Sequence, residues 1–220
     1  MALFLTNDGS HSVFSETYGV SYHSRYGAVT ESAHVFIAAG LRYKAVVQRE
    51  IAILETGFGT GLNAFMSWLE AERRNLQLRY VGLETAPVAQ EEVQVLNYAE
   101  LLGVPERSGD FLALHQNTWG AEHTLSEQSQ FRKEKIAIEA FEATDTFDVI
   151  YFDAFAPQAQ PELWTAEVFA RMYQALRTDG VLVTYCAQGA FKRTLKQVGF
   201  HVERLQGPPG KREMTRATRM

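Results

Sequence analysis

Cysteine is almost absent from this 220-residue chain. Cys186 stands alone, which excludes an intrachain disulfide and a cysteine metal cluster. A lone cysteine at the end of an apolar run reads as a small buried residue rather than a nucleophile. Lys and Arg are missing from the first twenty residues, which hold Asp8, Glu16 and no long apolar run. No signal peptide is expected, no stretch is long enough to span a membrane, and the cytoplasm is the expected location. None of the six histidines has zinc-ligand spacing with a partner, so no metal is expected. There is no Gly-Lys-Ser/Thr, hence no P-loop, and there are no repeats, linkers or low-complexity stretches. The remainder, 46% apolar and 21% charged, is ordinary for a soluble enzyme. The length suits one α/β domain.

A net charge of −5 argues against a general nucleic-acid binder. The charge is uneven, however. Residues 192–220 carry eight basic side chains and two acidic ones, leaving +6 there and −11 elsewhere. That segment is either a solvated basic end or a local phosphate-binding face.

What is present begins with Glu55-Thr56-Gly57-Phe58-Gly59-Thr60-Gly61, after an apolar run at residues 51–54 and before a helical stretch. A strand, a glycine turn and a helix in that order make a nucleotide-cofactor site. The glycines read G-x-G-x-G, not the G-x-G-x-x-G of dinucleotide binders, and a carboxylate precedes them. Acidic-x-Gly-x-Gly-x-Gly looks like the first motif of S-adenosylmethionine (SAM) methyltransferases. Alone, such a run can be a tight turn with no ligand. A second strand, residues 78–84, ends on Glu84 about 20 residues past the glycines, where an acid accepts ribose hydroxyls. Glu84 could instead cap the following helix.

Hydrophobic periodicity predicts a helix over residues 26–41 and others at 62–73, 88–98, 163–176 and 190–198. Strands are predicted at 51–54, 78–84, 135–141, 147–153, 181–185, 200–205 and 212–218. Residues 103–135 are read as an inserted loop or hairpin. The alternation predicts a Rossmann-like α/β fold, a mostly parallel seven-stranded sheet with helices on both faces. Residues 1–49 are expected to form an extension or lid on a catalytic domain at 50–220.

Ligands sit at strand carboxyl ends in such a sheet, and Glu55, Glu84 and Asp153 all fall there. Asp153-Ala154-Phe155-Ala156-Pro157 follows the fourth strand directly. Asp153 could orient a substrate amine or take its proton; otherwise it is a cap or turn residue. Phe155, Pro157 and Trp164 could stack on a planar base, although Phe155 and Trp164 alone are more often core residues.

Three blocks together resemble the methyltransferase domain of the bifunctional tRNA wobble-uridine modification enzyme, MnmC type, especially its stand-alone relatives. They are Glu55-Thr56-Gly57-Phe58-Gly59-Thr60-Gly61-Leu62-Asn63, then residues 152–157 through Pro161-Glu162-Leu163-Trp164, and Gly210-Lys211-Arg212-Glu213-Met214. Tyr22-His23-Ser24-Arg25-Tyr26-Gly27-Ala28, with Glu31, Val35 and Phe36, resembles the same family. The resemblance implies SAM-dependent methylation of the exocyclic amine of 5-aminomethyluridine, or its 2-thio form, at tRNA position 34 in the anticodon stem-loop. It implies that Glu55, Thr56, Gly57, Phe58, Gly59, Gly61, Asn63 and Glu84 hold SAM, and that Asp153 contacts the amine. Tyr22, His23, Ser24 and Glu31, with Phe155, Pro157 and Trp164, would enclose the base. Lys211 and Arg212 would meet phosphates. An acid near the third strand would reach adenine; Glu139 is the nearest, and Phe141 could occupy that place instead. With no second dinucleotide fingerprint, the chain is expected to methylate without oxidase activity. Its substrate would then come from enzymes that install the aminomethyl group.

Three rivals stay open. An aminopropyltransferase of the spermidine synthase type shares the motif and an aspartate after the fourth strand. A small-molecule or protein methyltransferase is the second. A non-catalytic SAM- or tRNA-binding module would bind without turnover. A nicotinamide oxidoreductase is disfavoured by the glycine spacing.

Overall fold

The computed structural model describes residues 2–220. Strands β1 (Ala2–Leu5), β2 (His11–Ser15) and β3 (Val20–Ser21) form a separate antiparallel sheet in that order. Helix α1 (Ala28–Ser32) follows and runs on into a π-wound segment, Ala33–Arg42. Asp8 joins the small sheet to this helix. Its carboxylate accepts hydrogen bonds from the Ser10 backbone N–H and from the backbone N–H and hydroxyl of Thr30. Gly40 lets the π-wound segment lie directly on the main sheet. A Cβ there would come within 3.0 Å of the Tyr151 ring and 3.1 Å of Val149 and Val183.

The chain then alternates through β4 (Glu50–Thr56), α2 (Leu62–Arg74) and β5 (Gln77–Leu83). Two one-turn helices follow, α3 (Gln90–Val93) and α4 (Tyr98–Leu101), then α5 (Ser108–Gln116) and a hairpin of β6 (Glu122–Ser126) and β7 (Ser129–Glu134). The chain closes with β8 (Phe147–Phe152), α6 (Ala166–Ala175), β9 (Leu176–Thr184), α7 (Gly189–Val198), β10 (Phe200–Gln206) and β11 (Glu213–Arg219). The main sheet runs β10-β11-β9-β8-β4-β5-β7-β6. Its five inner strands, β9 to β7, are parallel, whereas β10, β11 and β6 pair antiparallel.

The central strands are apolar on both faces, as strands covered by helices on either side must be. Ile51 and Ile53 pack with Phe36 and Phe65 on one face, and Ala52 and Leu54 with Phe169 and Leu195 on the other. From β4 the chain crosses to β5 on one side and returns to β8 on the other. The carboxyl ends of β4, β5 and β8 therefore surround the switch point, where open α/β sheets bind ligands.

The α/β class and mostly parallel sheet agree with expectation, and three details do not. The main sheet has eight strands rather than seven, because residues 122–134 form a hairpin that adds β6 at one edge. The third parallel strand is β7, not residues 135–141, which form a loop with a 3-10 turn at Ile138–Ala140. The helix expected over 88–98 is broken into α3 and the start of α4.

Candidate active site

Beyond β4 the backbone turns through Gly57, Gly59 and Gly61, all left-handed, with φ of 85°, 50° and 72°. Side chains crowd the turn as well. A Cβ at Gly59 would meet the Tyr22 ring at 3.0 Å, and one at Gly61 would meet His115 Nε2 at 2.6 Å. The glycines thus answer to the packing of the chain itself. The Gly57 and Phe58 N–H groups donate to Leu83 O at 3.0 and 2.9 Å, which fixes the turn to the end of β5. His115 supports it from behind, with Nε2 3.0 Å from Thr60 O. Burial pushes the His115 imidazole down to about 4, so it stays neutral. Nothing in the sequence marks His115, which lies in the stretch read only as a loop or hairpin.

Glu84 follows β5 and holds the same turn. Its Oε2 accepts from the Gly59 N–H at 2.9 Å, and its Oε1 from the N–H groups of Thr85 and Ala86 at 2.8 and 2.9 Å. Glu84 does not cap the following helix, α3, whose N-cap is Ala89 with no side-chain hydrogen bond; it ties the loop backbone together instead and lines the cavity.

Asn63, in the first turn of α2, bridges two acids. Its Nδ2 donates to Glu55 Oε1 at 2.9 Å and to Asp153 Oδ2 at 2.8 Å. Glu55 is fully enclosed behind Asn63 and does not line the cavity. Burial first, and then the charge of Asp153, hold its carboxyl well above the usual range. Asp153 follows β8, anchored by its N–H to Thr56 O at 3.2 Å. Burial raises its carboxyl most, Glu31 raises it further, and the Asn63 hydrogen bond and Lys211 oppose both; the carboxyl settles at about 7.

The cavity runs along these strand ends. Thr56, Gly57, Phe58, Gly59 and Asn63 line it with Glu84, Asp153 and Phe155, and Tyr22 and His23 close it from the N-terminal extension. Tyr18, not anticipated, joins them, with its ring 4.7 Å from Phe155 and the Tyr22 ring 5.1 Å from Phe155. His23 is buried, shares a 3.2 Å hydrogen bond with Ser12 Oγ, and is pushed down to about 4 by burial. Ile136, Ala137, Ile138 and Glu139 supply the wall beyond β7, with Glu139 exposed.

Residues 153–157 divide this cavity from a second, open cleft. Asp153, Ala154 and Phe155 face the cavity, and Ala156 and Pro157 face the cleft with Tyr185, Gln188, Lys211 and Arg212. Trp164 faces neither. Its ring packs among Phe152, Phe169 and Phe191, and its Nε1 donates to Phe155 O at 2.8 Å, so it supports Phe155 from within the core. Lys211 is turned inward. Its ammonium pairs with the buried Glu31 and lies 3.8 Å from the centre of the Tyr185 ring. Glu31 Oε2 also accepts from the Ser24 N–H at 3.0 Å. Among the described residues, no group of three His, Cys, Asp or Glu could hold a metal ion.

Comparison with known proteins decides the cofactor. Residues 125–220 match a family described as S-adenosyl-L-methionine-dependent methyltransferase. Over that stretch the chain is similar to the SAM-dependent methyltransferases. The chain is 32% identical over 218 residues to the tRNA 5-methylaminomethyl-2-thiouridine biosynthesis bifunctional protein MnmC of Cupriavidus necator, a match covering 93% of this chain and 32% of that protein. For the protein of the same name from Azoarcus sp. the identity is 30% over 229 residues, covering 98% and 35%. The chain thus spans about a third of the length of these curated relatives. The crystal structure of MNMC2 from Aquifex aeolicus superposes with a TM-score of 0.79 at 25% identity, covering 99% of this chain and 69% of that one.

The cavity fits SAM on its own terms. Asn63 lines the wall and its Oδ1 is buried without a hydrogen-bond partner, an acceptor suited to the ammonium of a methionine group. Glu84 presents a fixed carboxylate at the end of β5, where ribose hydroxyls can donate. Among the described residues, no helix is long and apolar enough to cross a membrane.

Proposed function

We propose that this chain methylates the exocyclic amine of 5-aminomethyluridine, or its 2-thio form, at position 34 of tRNA. The product is 5-methylaminomethyluridine. The observation that carries the reading is Asp153, held by Asn63 where the cofactor cavity borders the open cleft. The similarity to proteins named for 5-methylaminomethyl-2-thiouridine biosynthesis supports the choice of amine.

SAM supplies an electrophilic methyl group on a sulfonium. The protein's tasks are to present an uncharged amine in line with that methyl and to keep water away. Asn63, Glu84 and the Gly57–Gly61 turn would hold the cofactor. Asp153, with a carboxyl near 7, accepts a hydrogen bond or a proton from the amine near neutral pH. Phe155, Tyr22 and Tyr18 offer ring faces on which a uracil can stack. Arg212, exposed on the cleft rim, would meet phosphate. Lys211 takes an inward role instead. The reading makes the anticodon stem-loop the partner and the cytoplasm the working compartment. A spermidine-synthase-like or purely binding role is not favoured, because residues 125–220 match a methyltransferase family and the relatives are named for 5-methylaminomethyl-2-thiouridine biosynthesis.

The test is methyl transfer from labelled SAM to tRNA carrying 5-aminomethyluridine, followed by nucleoside mass analysis. A gain of about 14 daltons at position 34 is expected. Binding of SAM without that gain would discard the tRNA substrate and leave the cofactor site in place.

A further inference from the structure

Titratable groups on five segments of the chain interact electrostatically with Asp153. Glu55 comes from β4, Tyr80 from β5, Tyr185 from the end of β9, Glu31 from α1 and Lys211 from the turn between β10 and β11. His23, near the N-terminus, feels the charges of Glu31 and Lys211. Most of these carry no charge at neutral pH. Burial holds Tyr80 and Tyr185 well above the usual phenol range and pushes His23 down to about 4. Burial likewise favours the protonated form of Glu55. The charged neighbours that remain are Glu31 and Lys211.

The pair is built rather than incidental. Glu31 is 6% exposed, held by the Ser24 N–H on one oxygen and by Lys211 on the other. The Lys211 ammonium is confined over the Tyr185 ring, whose hydroxyl donates to Ala154 O at 2.8 Å, the carbonyl next to Asp153. Gly210 packs against the Tyr26 ring, so the turn carrying Lys211 is seated on the same N-terminal segment. A buried ion pair is weak evidence for stability, because desolvation offsets the attraction; its position beside the reacting carboxyl gives it another use.

We propose that the Glu31–Lys211 ion pair is a positioning device for Asp153, fixing the balance of charge in which that carboxyl meets the substrate's amine. The inference rests on the amine methylation proposed above. Glu31 is a negative neighbour that favours the proton on Asp153; Lys211 is a positive neighbour that favours its loss. The two therefore act on Asp153 in opposite directions, and a packing role has no reason to do so.

The test is a carbon-13 NMR titration of the aspartate carboxyls in the whole chain, with the Asp153 signal assigned by its loss in Asp153→Asn. Glu31→Gln is expected to move the Asp153 midpoint to lower pH and Lys211→Met to higher pH, each by about half a pH unit or more. The double variant should return near the starting value, and Lys211→Arg should leave it in place. Shifts of the same sign, or none, would overturn the inference. Should Glu31→Gln fail to fold, Lys211→Met decides alone, since only an upward shift supports the proposal. The titration needs no tRNA. Opposite shifts in a protein that fails to methylate 5-aminomethyluridine would retain the charge balance and reject the substrate.

Discussion

Asp153 is a carboxyl whose folded environment works against its own ionisation. Its pKa stands at about 7 against an ordinary 3.8, raised first by burial and then by Glu31. The native state therefore holds the proton more tightly than the unfolded chain does. Stability from this group is complete below about 3.8, falls as pH rises, and is lost above about 7. Asp153→Asn should accordingly melt at a higher temperature than the parent at pH 8 and show little difference at pH 4, as read by thermal unfolding. The same substitution should lower kcat by about 10²–10⁴-fold while leaving the SAM dissociation constant from calorimetry unchanged. In the parent, kcat should rise with pH through about 7. Glu70 shows the opposite case. Burial pushes it up, but hydrogen bonds from Arg42, Arg74 and Arg73 outweigh burial and hold it at about 2. Its contribution is present above about 4.5 and fades as pH falls toward about 2.

At the scale of the element, the Gly57–Gly61 turn is held by its own side-chain surroundings. Gly59→Val would place a branched side chain at φ 50° with its Cβ 3.0 Å from the Tyr22 ring. Loss of SAM binding by calorimetry is expected, together with a loosened N-terminal extension seen as faster proteolysis before residue 28. Asn63→Ala removes both amide bonds at once and leaves Glu55 and Asp153 facing each other without a shared donor. A loss of about 1–3 kcal/mol in chemical unfolding is expected. These elements were readable because apolar runs ending in an acid announce strands that finish at a ligand site. That rule located β4, β5 and β8 together with Glu55, Glu84 and Asp153. It failed at β7, whose sequence Ser-Gln-Phe-Arg-Lys-Glu conceals a strand that buries Ser129, Phe131 and Lys133 in alternation. The apolar Ile136 and Ile138 drew the prediction one loop too far. Trp164 misled for a related reason, because an aromatic residue near a site motif can serve the core while only its indole N–H serves the site.

At the scale of the whole molecule, the basic C-terminal segment is less free than its composition implies. Lys192 pairs with Glu213, Arg216 with Glu203, Arg219 with Asp145 and Lys211 with Glu31. Among the described residues, Arg193, Lys196 and Arg212 make no ion pair. Arg212→Ala should weaken tRNA binding and lower the slope of log affinity against log salt by about 0.7–0.9 if it meets one phosphate. Lys211→Ala should leave that slope unchanged while altering kcat. Charge counting could not separate these neighbours, since one faces solvent and the other lies over a ring.

The ion pair that flanks Asp153 joins residues separated by 180 positions. That separation has a consequence in time. During synthesis, residues 2–153 supply β4, β5, β8 and most of the cavity wall before the β10–β11 turn has left the ribosome. Until Lys211 arrives, Glu31 is an acid without its cation, and β11, which joins β10 to β9, is unmade. A nascent chain is thus expected to gain the strand ends that line the cavity before it gains the ion pair beside Asp153.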